Sequence, residues 1–338
     1  MSCTGIKVTS KSGQTFWGRT QEFDLEFDYI GVVFPKGFTL EQSFIKTKTR
    51  YCFGGIGIAD EGEALHFVAD GVNEKGLSGG TFYFGNYNRY LSLAEIDALG
   101  KKPLSGVEFV TWALATCSSV DEVRKRAEEV AITYEAGPFW ASFPQHCVFQ
   151  DSSGRSIVVE PSIPGDFEIY DNPVGVFTNS PKFDWHLANL QNYVGLTDTI
   201  KPGRNFGEAA VVSSGKGNGL FGLPGDFTAQ SRFVRAAVLT ELAQPVENHE
   251  AISLLFHLLD TSDIPKGVVK TEIGVQYTQY TSGYDLTEKR IYLHTYDNRQ
   301  IQSFSLDDLR GRQEVLVFEI DQQQKIAIMR PRKEKLSV

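Results

Sequence analysis

Met1-Ser2-Cys3-Thr4-Gly5-Ile6-Lys7-Val8-Thr9-Ser10 opens the chain, and a second extended run, Thr15 to Phe23, follows it across Lys11-Ser12-Gly13-Gln14. Ile6 to Ser10 alternates apolar and polar residues, the period of a strand with one buried face, and the glycine-containing turn signal separates it from the next run. Together they read as an N-terminal β-hairpin. Its returning strand carries Trp17-Gly18-Arg19. The hairpin therefore sets Arg19 across from residues near the chain start, with the register deciding which one.

Cys3 admits two readings. Free cysteine is often just a small buried apolar residue. A cysteine at a chain terminus is also chemically self-sufficient. Its α-amine titrates near ~8, close to a thiol at about 8.5, so it can take up and return the thiol proton without a histidine. A guanidinium nearby, such as Arg19, favours the thiolate.

Outward from the hairpin the first half continues as short β-like runs at Ile30–Phe34, Tyr51–Ile58, Leu65–Val72 and Leu77–Phe84. Helical periodicity then covers Ser105 to Leu114, and Ser119-Val120-Asp121-Glu122 starts a second helix. Strands return at Cys147–Gln150, Ser156–Pro161 and Val174–Thr178, and Phe183 to Tyr193 reads as a helix. Residues 197–227 form a long excursion rich in Gly, Pro and Asn, of the kind that is functional or an assembly arm. Helices at Thr228–Leu242 and Asn248–Leu259 precede closing strands near Val275–Thr281, Arg290–Thr295 and Val315–Ile320. This order suggests layered sheets covered by helices, in one domain.

The chain has 338 residues, 41% of them hydrophobic, which is ample for a large core. No run of apolar residues is long enough to span a membrane. No basic-then-apolar leader opens the chain, so a cytoplasmic protein is expected. A net charge of −9 and the lack of a basic cluster before Arg330 argue against nucleic-acid binding. Cys3, Cys52, Cys117 and Cys147 form no C-x-x-C pair, and the histidines are scattered, so no metal or other cofactor is expected. Phosphate-loop, zinc-protease and serine-elbow signatures are absent.

The residues that remain resemble a known family. Cys3-Thr4-Gly5, Gly18-Arg19-Thr20, Asp70-Gly71-Val72-Asn73-Glu74-Lys75-Gly76-Leu77, Thr178-Asn179-Ser180-Pro181 with Trp185-His186, and Gly222-Leu223-Pro224-Gly225-Asp226-Phe227 before Ser231-Arg232-Phe233 follow the order of the choloylglycine hydrolase family. Ile264 to Val269 and Tyr277 to Thr281 extend the resemblance over nearly the whole chain. That family contains bile salt hydrolases and penicillin V acylases. The resemblance implies an α+β fold, the αββα sandwich of the Ntn hydrolases: two stacked antiparallel sheets between helix layers. It places the nucleophile on Cys3, active-site arginines on Arg19 and Arg232, and oxyanion donors on the Asn179 side chain and the Tyr83 backbone N–H. Bile salt hydrolases usually carry Asn where Tyr83 stands, which points toward the penicillin V acylase side. Asp226 is expected only to cap the helix that carries Arg232.

Two departures from the family pattern stand out. Glu22 occupies the position of an Asp that partners the nucleophile. Ser2 stands between Met1 and Cys3, so Cys3 must be exposed by processing, for which attack of its own thiol on the Ser2–Cys3 bond is one route. The expected activity is hydrolysis of a linear amide, with penicillin V acylase chemistry first and bile salt hydrolysis as the alternative. Acyl-homoserine lactones are a third substrate class, and a silent Ntn-fold binding or assembly protein is the reading outside enzymology. Phe23, Phe82, Phe139 and Trp140 are candidates for the wall of an acyl pocket. The excursion at about 187–225 corresponds to the region family members use for tetramer assembly, so a homotetramer is expected. The remaining partner is a small-molecule amide.

Overall fold

The computed structural model describes residues 2–60, 63–135, 143–309 and 311–331. Among these, two antiparallel sheets carry the architecture. The first orders Val176–Phe177, Ser2–Thr9, Thr15–Phe23, Val275–Asp285, Arg290–Thr295 and Gln302–Ser305, with Val269–Lys270 added to the long strand. The second orders Asp166–Asp171, Ser156–Ile163, Gln145–Gln150, Ser78–Tyr83, Asp70–Asn73, Phe53–Asp60, Tyr29–Phe34 and Leu316–Glu319, with Glu63–Ala64 paired to Phe53–Asp60. Helices Ala229–Leu242 and Asn248–Asp260 lie on the outer face of the first sheet, and Phe109–Thr116 on that of the second. The result is an αββα sandwich.

Strand alternation in the N-terminal hairpin decides what meets what. Gly13 turns it, at φ +87°, where a residue without Cβ is unstrained. Cys3 then faces Gln21, and Gly5 faces Arg19. Gly18 lies under the helix Asn248–Asp260, where an added Cβ would come within 3.0 Å of the Leu255 side chain. The alternate residues Trp17, Arg19 and Gln21 therefore point between the sheets. Trp17 stacks on Tyr284 at 5.5 Å, and the Arg19 guanidinium sits 4.6 Å over the Phe82 ring of the second sheet. Gly80 leaves the room Trp17 needs, since a Cβ there would lie 2.7 Å from the indole.

Several boundaries differ from the sequence expectation. The first strand begins at Ser2 rather than Ile6, because Ser2 pairs with Glu22 and the whole hairpin zips to its end. The run Leu65–Val72 is strand only from Asp70, since Val68 N–H turns away to the Thr111 hydroxyl. The excursion holds a small hairpin, Arg204–Phe206 with Ala209–Val211. No helix among the described residues is long and apolar enough to cross a membrane.

Candidate active site

The hairpin delivers Cys3, Arg19 and Gln21 to one buried point. Arg19 Nη2 donates to Cys3 Sγ at 2.6 Å and to Gln21 Oε1, while Nη1 donates to Thr81 O at 2.8 Å and Nε to Thr20 O at 3.2 Å. Its charge is balanced by Asp70, 3.5 Å away on the second sheet and fully buried. Asp70 in turn accepts from Tyr280 Oη at 2.5 Å, Ser282 Oγ at 2.7 Å and Tyr284 Oη, all on the long strand of the first sheet. A buried ion pair is thus fully hydrogen-bonded, the condition under which such a pair is tolerated.

From the helix side a second arginine reaches the same cysteine. Thr228 caps the helix Ala229–Leu242 through its hydroxyl, and Asp226 braces the cap by accepting Thr228 N–H at 2.9 Å and Ser231 Oγ at 2.6 Å. This seats Arg232 in the first turn. Its Nη1 donates to Cys3 O and, at 2.8 Å, to Thr4 Oγ1, and its Nη2 donates to Asn179 Oδ1 at 2.8 Å. Asn179 Oδ1 also accepts the Cys3 N–H at 2.8 Å. With two donors on its oxygen, the Asn179 amide orientation is determined. Its Nδ2 donates to Tyr83 O at 3.2 Å and keeps its other hydrogen.

The Tyr83 backbone shares that edge. Phe84 N–H donates to Pro144 O, toward the strand Gln145–Gln150. Alternation turns the N–H and C=O of Tyr83 the opposite way, past the point where pairing with Asp70–Asn73 stops at Gly80. The Tyr83 N–H therefore lies on the side of the strand where Asn179 Nδ2 meets Tyr83 O, and Asn179 Oδ1 in turn accepts the Cys3 N–H. Two convergent N–H donors next to a nucleophile can stabilise an oxyanion.

Glu22 lies at the end of the hairpin, opposite Ser2. It accepts from Thr278 Oγ1 at 2.8 Å, and its Oε2 is buried without a hydrogen-bond partner among the described residues. Burial pushes its carboxyl up to about 7, against the pull of Arg232. Burial also raises the Cys3 thiol; Arg19 and Arg232 pull it down, and Glu22 adds to the rise. On balance the site favours the protonated thiol.

An apolar cavity opens beside this cluster. Phe23, Phe27, Tyr29, Ile58, Phe67 and Phe143 line it, and Gln21 and Thr81, both bonded to Arg19, form its polar corner. Of the sequence candidates for the acyl wall, Phe23 lines the cavity. Phe82 lies in the core, against Phe177 and under Arg19. Phe139 and Trp140 lie outside the described residues. Gln21 escaped the sequence reading, and Asp70 entered it only as part of a motif, with no role assigned. Gln21 was findable by counting two residues on from Arg19 along the same strand face, whereas the three hydroxyl partners of Asp70 lie more than two hundred residues away. Among the described residues no cluster of His, Cys, Asp and Glu could hold a metal ion.

Residues 3–317 match a family model described as linear amide C–N hydrolases, choloylglycine hydrolase family. A bile salt hydrolase/transferase of Clostridium perfringens is 35% identical over 311 residues, covering 90% of this chain and 92% of that protein. The crystal structure of a conjugated bile acid hydrolase from the same organism, a cysteine-to-alanine mutant, matches 97% of this chain and 100% of that one. Its TM-score is 0.86, at 31% identity. Penicillin V acylase from Agrobacterium tumefaciens covers 94% of this chain and 91% of its own with a TM-score of 0.74, but at 20% identity, a likeness of fold.

Proposed function

The chain belongs to the choloylglycine hydrolase family and is a linear amide C–N hydrolase, and from that premise we propose that it cleaves conjugated bile acids with Cys3 as nucleophile. This reverses the order expected from Tyr83, which put penicillin V acylase first. The observation that supports the reversal is the extent of likeness to bile salt hydrolases: a third of residues identical across nine tenths of the chain. The acylase shares fold at lower identity. Phe23, Phe27 and Phe143 beside the cysteine cluster offer an apolar wall to the acyl side of a substrate.

The mechanism follows from the site. Loss of Met1 and Ser2 frees the Cys3 α-amine, whose nitrogen already lies against Asn179 Oδ1. The amine takes the thiol proton, which burial otherwise retains. Arg19 holds the sulfur as it becomes anionic. The thiolate adds to the substrate carbonyl, and the oxyanion receives the free Asn179 amide hydrogen and the Tyr83 N–H. Loss of one such donor raises the barrier by roughly 3–4 kcal/mol. The C–N bond breaks as the α-ammonium returns its proton to the leaving nitrogen. Water then attacks the Cys3 thioester, giving the free acid and restoring the thiol. Glu22, with an unpartnered buried oxygen one residue from the new terminus, accepts from the ammonium. Arg232 fixes both the Cys3 carbonyl and Asn179.

Tyr83 keeps a second reading in view, removal of an aryloxyacetyl group from penicillin V. Side-by-side hydrolysis of glycocholate and phenoxymethylpenicillin decides between them. A higher kcat/KM on glycocholate supports the bile acid reading, and a clear preference for the penicillin overturns it.

The same proposal includes assembly as a homotetramer through the excursion. Val212 and Phe221 there are 82% and 86% exposed, apolar side chains with nothing over them among the described residues.

A further inference from the structure

Two histidines outside the reacting groups hold the backbone on which the oxyanion asparagine sits. His146 Nε2 lies 3.2 Å from Thr178 O, and His186 Nε2 lies 2.8 Å from Asn179 O. A carbonyl oxygen can only accept, so each Nε2 must carry the hydrogen. The tautomer of both rings is thereby fixed. Their other nitrogens agree with this. His186 Nδ1 is buried with no hydrogen-bond partner among the described residues, a position tolerable for a lone pair and costly for an N–H. His146 Nδ1 faces Glu160 Oε1 at 3.2 Å.

Burial lowers His146 to about 3 and His186 to about 4, so both rings remain neutral donors near neutral pH. Burial also pushes the Glu160 carboxyl up to about 8, which gives His146 Nδ1 a protonated partner. The rings cannot swing. His146 is stacked 4.2 Å from Phe84 and packed 4.3 Å from Phe177, and His186 is stacked 4.7 Å from Phe233, the neighbour of Arg232.

We propose that His186 and His146 are positioning residues for hydrolysis, clamping the Asn179 and Thr178 carbonyls so that the Asn179 carboxamide meets Cys3, Arg232 and the oxyanion together. The clamp acts through Asn179 and touches no substrate. It rests on the reading of Cys3 and Asn179 given above. A displaced oxyanion donor slows the chemical step and leaves ground-state binding almost untouched.

The test is steady-state hydrolysis of glycocholate by the mature enzyme and by His186→Phe, His186→Gln and His146→Gln, each checked by thermal melting. Phe keeps the ring against Phe233 and removes the donor; Gln restores an N–H at the Nε2 position. His186→Phe is expected to lose about tenfold to a hundredfold in kcat with KM within about twofold, the scale of a misplaced group of about 1 Å. The Gln variants are expected to recover most of that loss. A folded His186→Phe enzyme with full kcat overturns the proposal. So do folded Gln variants at either position whose kcat falls about a hundredfold below the parent enzyme, a result that remains decisive if the Phe variant does not fold. Cys3→Ala, assayed alongside, separates the two levels: hydrolysis surviving that change defeats the nucleophile reading itself, independently of His186.

Discussion

At the scale of single residues the site is a sulfur surrounded by groups that each need a second partner to be useful. Arg19 gives one amino group to Cys3 and the other to Thr81 and Asp70. Replacing Arg19 with Leu therefore strips the thiolate of its donor and leaves Asp70 with its neighbouring hydroxyls; kcat on glycocholate should fall at least about a hundredfold by analogy with loss of a charge-stabilising donor. Glu22 supplies a pH signature. Its folded value of about 7 stands above the ordinary 4.5, because burial penalises the carboxylate. The stability it contributes is fully present below about 4.5 and is lost as pH rises through about 7. Activity runs the other way, since the carboxylate accepts from the Cys3 ammonium in a charge-assisted bond that the neutral acid cannot match. The kcat/KM profile should rise through pH ~7, and Glu22→Gln should remove that limb. A profile unchanged by Glu22→Gln would show that the carboxyl has no part in the reaction. Cys3 and Arg19 were legible in the sequence because hairpin pairing is local and a terminal cysteine has its own chemistry. Asn179 and Arg232 were legible only through the order of motifs. Nothing in the local pattern around either one brings them to the same cysteine.

At the scale of elements one carboxylate gathers four side chains of the facing sheet, beside the Arg19 bond to Thr81 O. Asp70 comes from the second sheet, and Arg19, Tyr280, Ser282 and Tyr284 come from the first. Asp70→Ala leaves a buried guanidinium without its counter-charge. It should cost roughly 3–5 kcal/mol of folding stability, read from denaturant melts, with Asp70→Asn losing less. Equal midpoints for Asp70→Ala and the parent would remove the clasp from the account. Sequence patterning found most strands and the larger helices, since their periods are set by burial on one face. It missed Leu93–Ala98, although Ser92 and Glu95 form a capping box, because six residues are too short for a helical period to show. It also overextended Leu65–Val72, where an apolar run leaves the ladder for a side-chain hydroxyl. In the excursion, Gly- and Asn-rich composition hid the hairpin Arg204–Phe206/Ala209–Val211, which is exposed and has no buried face to generate alternation.

At the scale of the whole molecule the αββα layering brings a hairpin end, a loop after Val176–Phe177, a strand end at Tyr83 and a helix N-terminus to one point. The family resemblance carried that layering, which strand and helix periods alone leave open among several two-layer folds. The excursion presents Val212 and Phe221 outward. Light scattering should report a tetramer at micromolar concentration, and Val212→Ser combined with Phe221→Ser should weaken it; a monomeric parent would contradict the assembly proposal. The central claim is that the nucleophile is the sulfur of a cysteine carrying its own free amine. Rapid quenching of the enzyme during glycocholate turnover, followed by mass analysis of the N-terminal peptide, tests it most directly. The expected species begins at Cys3, has lost Met1 and Ser2, and carries the bile acyl group on that sulfur. Turnover by a chain that still begins at Ser2, or an acyl group found on another residue, would contradict it.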